Sequence, residues 1–286
     1  FPFVVGKVWS FRILIELLLP FYLTLVVVSP RLRRWREPLV IAVGAYLAVQ
    51  LLAGFLGVDP VRSFWANHER MTGVYTLLHY GAFFLMAAAA YTSMTHWRRA
   101  LLASLAASAV MTGIALYEHG HPGFFANPGG GRVWATLGNY IYLANYLLFH
   151  LFFLGIVFFR KGTDVRLRAV LIVFAALESL VILYTQTRGT LVAVIVTAVA
   201  MLFWVGIRER RWRPWAAGML LAMTLAGGVL YMNRQQQWVA SIPGVGKLVR
   251  TTLSEGGGVR TRFIAWEIAL QAFRDRPFTG YGPENF

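Results

Sequence analysis

The 286-residue sequence predicts an all-α polytopic membrane protein, with about eight transmembrane helices in this chain plus part of a large loop outside the membrane with short helices. Composition is the first reason. Hydrophobic residues make up 58% and charged residues 14%, whereas a soluble domain carries about 25% charged residues. Mean hydropathy is +0.58. The second reason is the recurrence of apolar runs close to the roughly 20 residues that a spanning helix needs. The third is that the loops between the runs alternate in charge.

The runs are Val8–Val28, Leu39–Leu56, Val74–Met94, Ala100–Tyr117, Asn139–Phe159, Ala169–Tyr184, Leu191–Ile207 and Trp215–Tyr231. The first is too long for a cleavable signal peptide and leads straight into the next span. Loops one, three, five and seven carry 4, 2, 4 and 4 Lys and Arg residues; loops two, four and six carry 2, 1 and 1. Basic residues favour the cytoplasmic side, so the odd loops are expected inside and the even loops outside. Lys7 and Arg12 sit at the supposedly outer end of span one and weaken the assignment there. Arg12 and Glu16, four apart, are placed to pair within the helix.

The boundary is expected after Tyr231, giving a transmembrane helical domain over 1–231 and a loop region over 232–286. The loop region holds seven of the basic residues. Gln235–Gln237 and Ile242–Gly244 read as loop or short helix, and Glu255–Gly258 as a flexible break. Thr261–Phe273 carries an apolar face at helical spacing and ends before Pro277. This region reads as the start of a longer natural loop. No cysteine is present, which leaves no disulfide or cysteine–zinc site. The net charge of +15 suits basic interhelical loops and attraction to anionic lipid or lipid-linked phosphate. The scatter of those charges through short loops argues against nucleic acid as a partner.

Polar residues concentrate on the expected outer side. Arg188 lies in a very short polar break between two apolar runs, where burial in hydrocarbon costs about 2.5–3.5 kcal/mol on insertion scales. It is therefore expected at a membrane face, in a polar cleft, or both. Gly189 lets the backbone turn sharply there or approach a bulky anion closely. Loop two holds Asp59, Asn67, His68, Glu69 and Arg70; loop four holds Glu118, His119, His121, Asn127 and Arg132. Asn139, Tyr142 and Tyr146 share one helix face. That face is either an interfacial belt with an interhelical hydrogen bond or a sugar or headgroup platform. His119 and His121 make a weak metal pair with nothing to complete it. His79 and His150, inside spans, read as packed histidines with satisfied hydrogen bonds. Glu178 needs a partner: it neutralises an arginine near the cleft or ties two helices together. Arg260 and Arg262 open the tail helix, where backbone N–H groups and two guanidiniums suit an anion.

These residues resemble a known family. Thr187-Arg188-Gly189, the later Arg262-Phe263-x-x-Trp266 and Asp275-x-Pro277-Phe278-x-Gly280-Tyr281-Gly282 are similar to motifs of the O-antigen ligase and polymerase superfamily, membrane glycosyltransferases of the GT-C type. So is Arg132 with Gly138-Asn139-Tyr140. The ligase branch is the nearer likeness. The resemblance implies transfer of O-antigen polysaccharide from undecaprenyl pyrophosphate to the lipid A–core acceptor, on the periplasmic side of the bacterial inner membrane, with no metal or other cofactor. It also implies an essential histidine further along the loop, expected beyond Phe286. On this reading Arg188 and Arg262 are the catalytic pair that holds the pyrophosphate. Gly189, Arg260, Arg132, Asn139 and Tyr142 join them in binding. Donor, acceptor and membrane lipids are the expected partners. Rival readings are an O-antigen polymerase, a protein O-oligosaccharyltransferase, and a transporter or flippase of a lipid-linked anion.

Overall fold

A computed structural model describes residues 2–125, 131–250 and 258–285, and among these the regular elements are all helical. Asn127, in loop four, and Glu255–Gly257 of the expected glycine break lie outside the described residues. Among the described residues seven helices are long and apolar enough to cross a membrane. They are α1 (Pro2–Val28), α2 (Pro38–Phe55), α5 (Met94–Gly120), α6 (Tyr140–Phe158), α7 (Val165–Thr185), α8 (Arg188–Arg208) and α9 (Arg213–Met232). The third expected span is α4 (Val74–Ala90), apolar but 17 residues long. At 1.5 Å per residue it covers about 25 Å. Short helices α3 (Pro60–Trp65), α10 (Gln237–Ser241) and α11 (Val245–Val249) occupy connections, and α12 (Gly258–Asp275) is the tail helix.

Local chemistry sets the helix ends. Pro38 and Pro60 stand at the first position of α2 and α3, where a missing N–H costs nothing. Asp59, Asn139 and Asp164 cap α3, α6 and α7 by accepting the N–H of Arg62, Ile141 and Arg166. α12 stops two residues before Pro277.

The chain divides into two compact units, Phe1–Arg99 with Leu253–Phe286, and Ala100–Thr252. In the first, α4 packs against α1, α2 and α3. Arg12 and Glu16 do not form the expected ion pair along α1. Arg12 donates through Nη2 to the Met71 carbonyl (3.3 Å) and to Thr76. Glu16 accepts from Tyr75 (2.6 Å) and contacts His79 Nε2 (3.0 Å). Tyr75 stands between them, its ring 4.7 Å under the Arg12 guanidinium. Long-range partners on α4 and at Met71 displace the local pair: Arg12 is buried and needs acceptors there, while Glu16, about half exposed, turns to Tyr75 and His79.

The chain's final turn also closes on this unit. Val58 donates to the Tyr281 carbonyl (2.9 Å), and Asn285 donates to the Asp59 carbonyl (3.1 Å) and to Ser63 (2.9 Å). Gly57 and Gly282 permit that closure: a Cβ on Gly57 would meet the Tyr281 carbonyl oxygen at 2.6 Å, and Gly282 has φ +92°.

In the second unit, α6 packs along α7 and α8, and α8 against α9. One core cluster joins Ala115 of α5, Leu143 and Leu147 of α6, Val181 and Ile182 of α7, and Leu191 of α8. Another joins Leu105, Leu154, Val157 and Leu171. The two span histidines are satisfied as expected. His79 bonds the Tyr75 carbonyl (2.7 Å) and Glu16, in the first unit. His150, in the second, bonds the Tyr146 carbonyl (2.7 Å) and Ser104 (2.9 Å). Glu178 is fully buried beside Ser108 of α5, so it faces a neighbouring helix and not an arginine. Ser108 donates its hydroxyl to the Leu105 carbonyl (3.0 Å), and neither Glu178 oxygen has a hydrogen-bond donor within bonding distance.

Candidate functional site

The α7–α8 corner turns within two residues. Gln186 takes the left-handed conformation (φ 51°, ψ 34°) and returns its N–H to Leu183. Thr187 follows, and α8 starts at Arg188. The sharp turn expected of Gly189 is therefore made by Gln186. Gly189 is already helical and exposed, with open space where a Cβ would stand. That leaves its other expected use, close approach of a ligand to the first turn of α8. The unbonded N–H groups of a helix start favour negative charge.

The first turn of α8 is pinned. Thr190 donates to Asn145 Oδ1 of α6 (2.9 Å), and Thr187 is buried beneath the corner. Arg188 is exposed at this turn.

Arg132 reaches the same corner from the loop before α6. Its Nη2 donates to the Gln186 carbonyl (2.9 Å), and its guanidinium lies 3.9 Å over the Tyr140 ring. Glu118, at the end of α5, fixes this loop: its Oε2 accepts the N–H of Trp134 (3.0 Å) and of Ala135 (2.8 Å). Ala135 has φ 49°, a conformation costly for a residue with a Cβ, and the carboxylate holds it there. Glu118 is thus a positioning residue for Arg132, a role its sequence context did not reveal.

A third cation comes from the tail. Gly244 (φ +75°) presses against the corner: a Cβ there would lie 2.8 Å from Leu191 Cδ1 and 3.5 Å from Gln186 Cα. α11 thereby packs against α8 and carries Lys247. Lys247 is held below the ordinary lysine value of 10.5 by burial first, then by the charges of Arg132 and Arg188. Arg250 steadies the α10–α11 turn by donating to the carbonyls of Arg234 (2.6 Å), Gln235 and Gln236 (3.2 Å each). Lys247 escaped the sequence reading. Its one signal was a lone lysine after two closely spaced glycines in an apolar stretch, Ile242–Leu248.

The remaining candidates fall as follows. Asn139 uses its oxygen to cap α6 (2.8 Å to the Ile141 N–H), and Tyr142 is exposed on the first turn of that helix. Tyr146 turns toward the core. His119 stacks on Tyr184 (3.7 Å) and His121 on Tyr117 (4.1 Å). No three His, Asp or Glu side chains gather as a metal-ligand group among the described residues. Arg260 and Arg262 belong to the other unit, exposed on α12. There Phe263 and Trp266 meet edge to face (5.5 Å), and the expected apolar face, with Leu270 and Phe273, is exposed.

Residues 170–286 match the Wzy_C family, described as O-antigen ligase. That match supports the O-antigen ligase/polymerase superfamily for this segment. The matched segment contains the Arg188 corner, Lys247 and α12, and with them three of the four motifs that resembled the family. Members of the matched family are membrane glycosyltransferase-like enzymes. No curated protein and no solved structure matches the chain.

Proposed function

We propose that the protein is an O-antigen ligase. It transfers O-antigen polysaccharide from undecaprenyl pyrophosphate to the lipid A–core oligosaccharide at the periplasmic face of the bacterial inner membrane, without a metal. The observation that carries this reading is the gathering of Arg132, Arg188 and Lys247 at the start of α8, in a chain of this family. As the sugar C1–O bond to the pyrophosphate breaks, negative charge grows on the leaving oxygen. The acceptor hydroxyl oxygen bonds to C1 and gives up its proton. Fixed cations and the helix start stabilise the leaving charge where it develops. In the second unit Arg188 is the principal holder of the pyrophosphate, with Arg132 and Lys247 assisting; the motif likeness alone offers Arg262 and Arg260 as further donors to it. Fork-shaped guanidiniums suit its several oxygens.

An apolar cavity supports the lipid half of this reading. A cavity of about 480 Å³ is lined by Leu148, Phe152 and Ile156 of α6 and by Val194, Ala198 and Met201 of α8. Both helices begin at the cationic corner. The cavity starts about 9 Å further along α8, at 1.5 Å per residue. An isoprenoid chain in it would hold its pyrophosphate at the corner.

Binding of a short-chain isoprenyl pyrophosphate tests the reading through Lys247. The protonated amine holds the anion, and its folded pKa lies below the ordinary 10.5. In the free protein the charged amine opposes folding, and that opposition fades as pH rises through the folded pKa. Affinity for the pyrophosphate therefore declines with rising pH, at lower pH than an ordinary lysine would give. Lys247→Met flattens this alkaline limb. A pH-independent affinity in the wild type, or the same limb in the variant, would remove Lys247 from the site.

A further inference from the structure

The first unit holds a second polar cavity that the cationic corner does not use. It measures about 460 Å³, within the range of small-ligand pockets, about 300–1,000 Å³. Trp9, Arg12 and Glu16 of α1, Trp65 of α3, Asn67 and Tyr75 are among its lining residues. Two of these, Arg12 and Glu16, are charged residues within an apolar helix long enough to cross a membrane. Such residues are costly and mark function by default.

The polar groups are fixed, and each has capacity left. Arg12 is 5% exposed, and its Nη2 is committed to Met71 and Thr76, but its Nε is buried with no hydrogen-bond partner. Glu16 spends one oxygen, Oε1, on both Tyr75 and His79. Its other oxygen is left for a donor, on a side chain about half exposed (51%). Asn67 accepts the Arg70 N–H through Oδ1 (2.8 Å), which leaves its amide NH₂ to donate. Two lining residues, Ala66 (φ 64°) and Met71 (φ 54°), hold left-handed backbone that a side chain disfavours. Strain of this kind collects at binding sites. Trp9 and Trp65 each leave about half their surface open, 52% and 53%.

Both signs of charge stand in one wall. A free anion meets Glu16, and a free cation meets Arg12. A neutral ring that offers hydroxyls on its edge and C–H groups on its face satisfies both and stacks on an indole. We infer that this cavity binds a neutral pyranose unit of a glycan. Glu16 accepts a sugar hydroxyl, Arg12 Nε and the Asn67 amide donate to ring or hydroxyl oxygens, and Trp65 or Trp9 covers the apolar face. The inference rests on the ligase reading only for the source of the sugar, which is the acceptor core or the donor polysaccharide.

Calorimetric titration of the full chain in lipid nanodiscs tests it. Two lipid-free probes are used: deacylated core oligosaccharide, and O-antigen polysaccharide released from its carrier without pyrophosphate. Saturable binding of the first makes the cavity an acceptor subsite; binding of the second makes it a donor-glycan subsite. In either case Trp65→Ala and Glu16→Gln should each weaken binding at least tenfold. Trp65 is half-exposed, so its variant keeps the fold if Glu16→Gln does not, and thermal unfolding checks both. No saturable binding of either probe, or unchanged affinity in both folded variants, overturns the inference. Because neither probe carries pyrophosphate, those outcomes leave the ligase reading standing if transfer is intact.

Discussion

Arg188→Ala should cut glycan transfer by at least about 10²–10³-fold, the loss typical when one preorganised donor to a developing oxyanion is removed. The side chain is exposed at the first turn of α8, while Thr187, Thr190 and Leu191 provide the buried contacts there. Stability and membrane insertion should therefore hold within about 0.5 kcal/mol, as for most surface substitutions. Arg188→Lys restores charge but not the two-pronged donor, and at a multi-oxygen pyrophosphate it should recover only a small part of the rate. Immunoblots for chain level and gels for lipopolysaccharide length, in a strain lacking its own enzyme, separate the two effects. Normal long-chain lipopolysaccharide in Arg188→Ala would show that this guanidinium has no part in the reaction.

Arg262→Ala should produce a loss of the same order by a different route. Arg262 is exposed on α12, so removing it leaves no buried group unsatisfied. Its place in Arg262-Phe263-x-x-Trp266, within the family-matched segment, and its chemistry as a second fork-shaped donor are why we propose the pyrophosphate as its partner. Exposure makes this substitution informative: lost transfer with unchanged thermal unfolding reads as lost function. If Arg188→Ala is inactive and Arg262→Ala is fully active, the leaving group is held at the α7–α8 corner alone.

The helices were legible because hydrocarbon imposes long apolar runs, and each of the eight expected spans overlaps an observed helix. The corner was legible for the opposite reason, since an arginine between two apolar runs is too costly to be idle. Three features were not legible, and each depends on contacts between distant segments. Gln186, with no glycine signature, takes the left-handed turn, while Gly189 beside it is helical. Lys247 reaches the corner only because Gly244 packs on Leu191 and Gln186. Arg12 and Glu16 have helical spacing for a local pair, yet α4 and Met71, three residues before it, offer better partners. Asn139 also has a local role. Its place just before an apolar run is an N-cap signature, and the cap is what its oxygen makes.

The most direct measurement is transfer by the purified protein in liposomes, given an undecaprenyl-pyrophosphate glycan and lipid A–core, with EDTA present throughout. A shift of the lipid A–core band to long-chain lipopolysaccharide, lost in Arg188→Ala, is the predicted result. Elongation of the lipid-linked glycan with no shift of lipid A–core, transfer that returns only when Mn²⁺ or Mg²⁺ is added, or equal transfer by Arg188→Ala would contradict it.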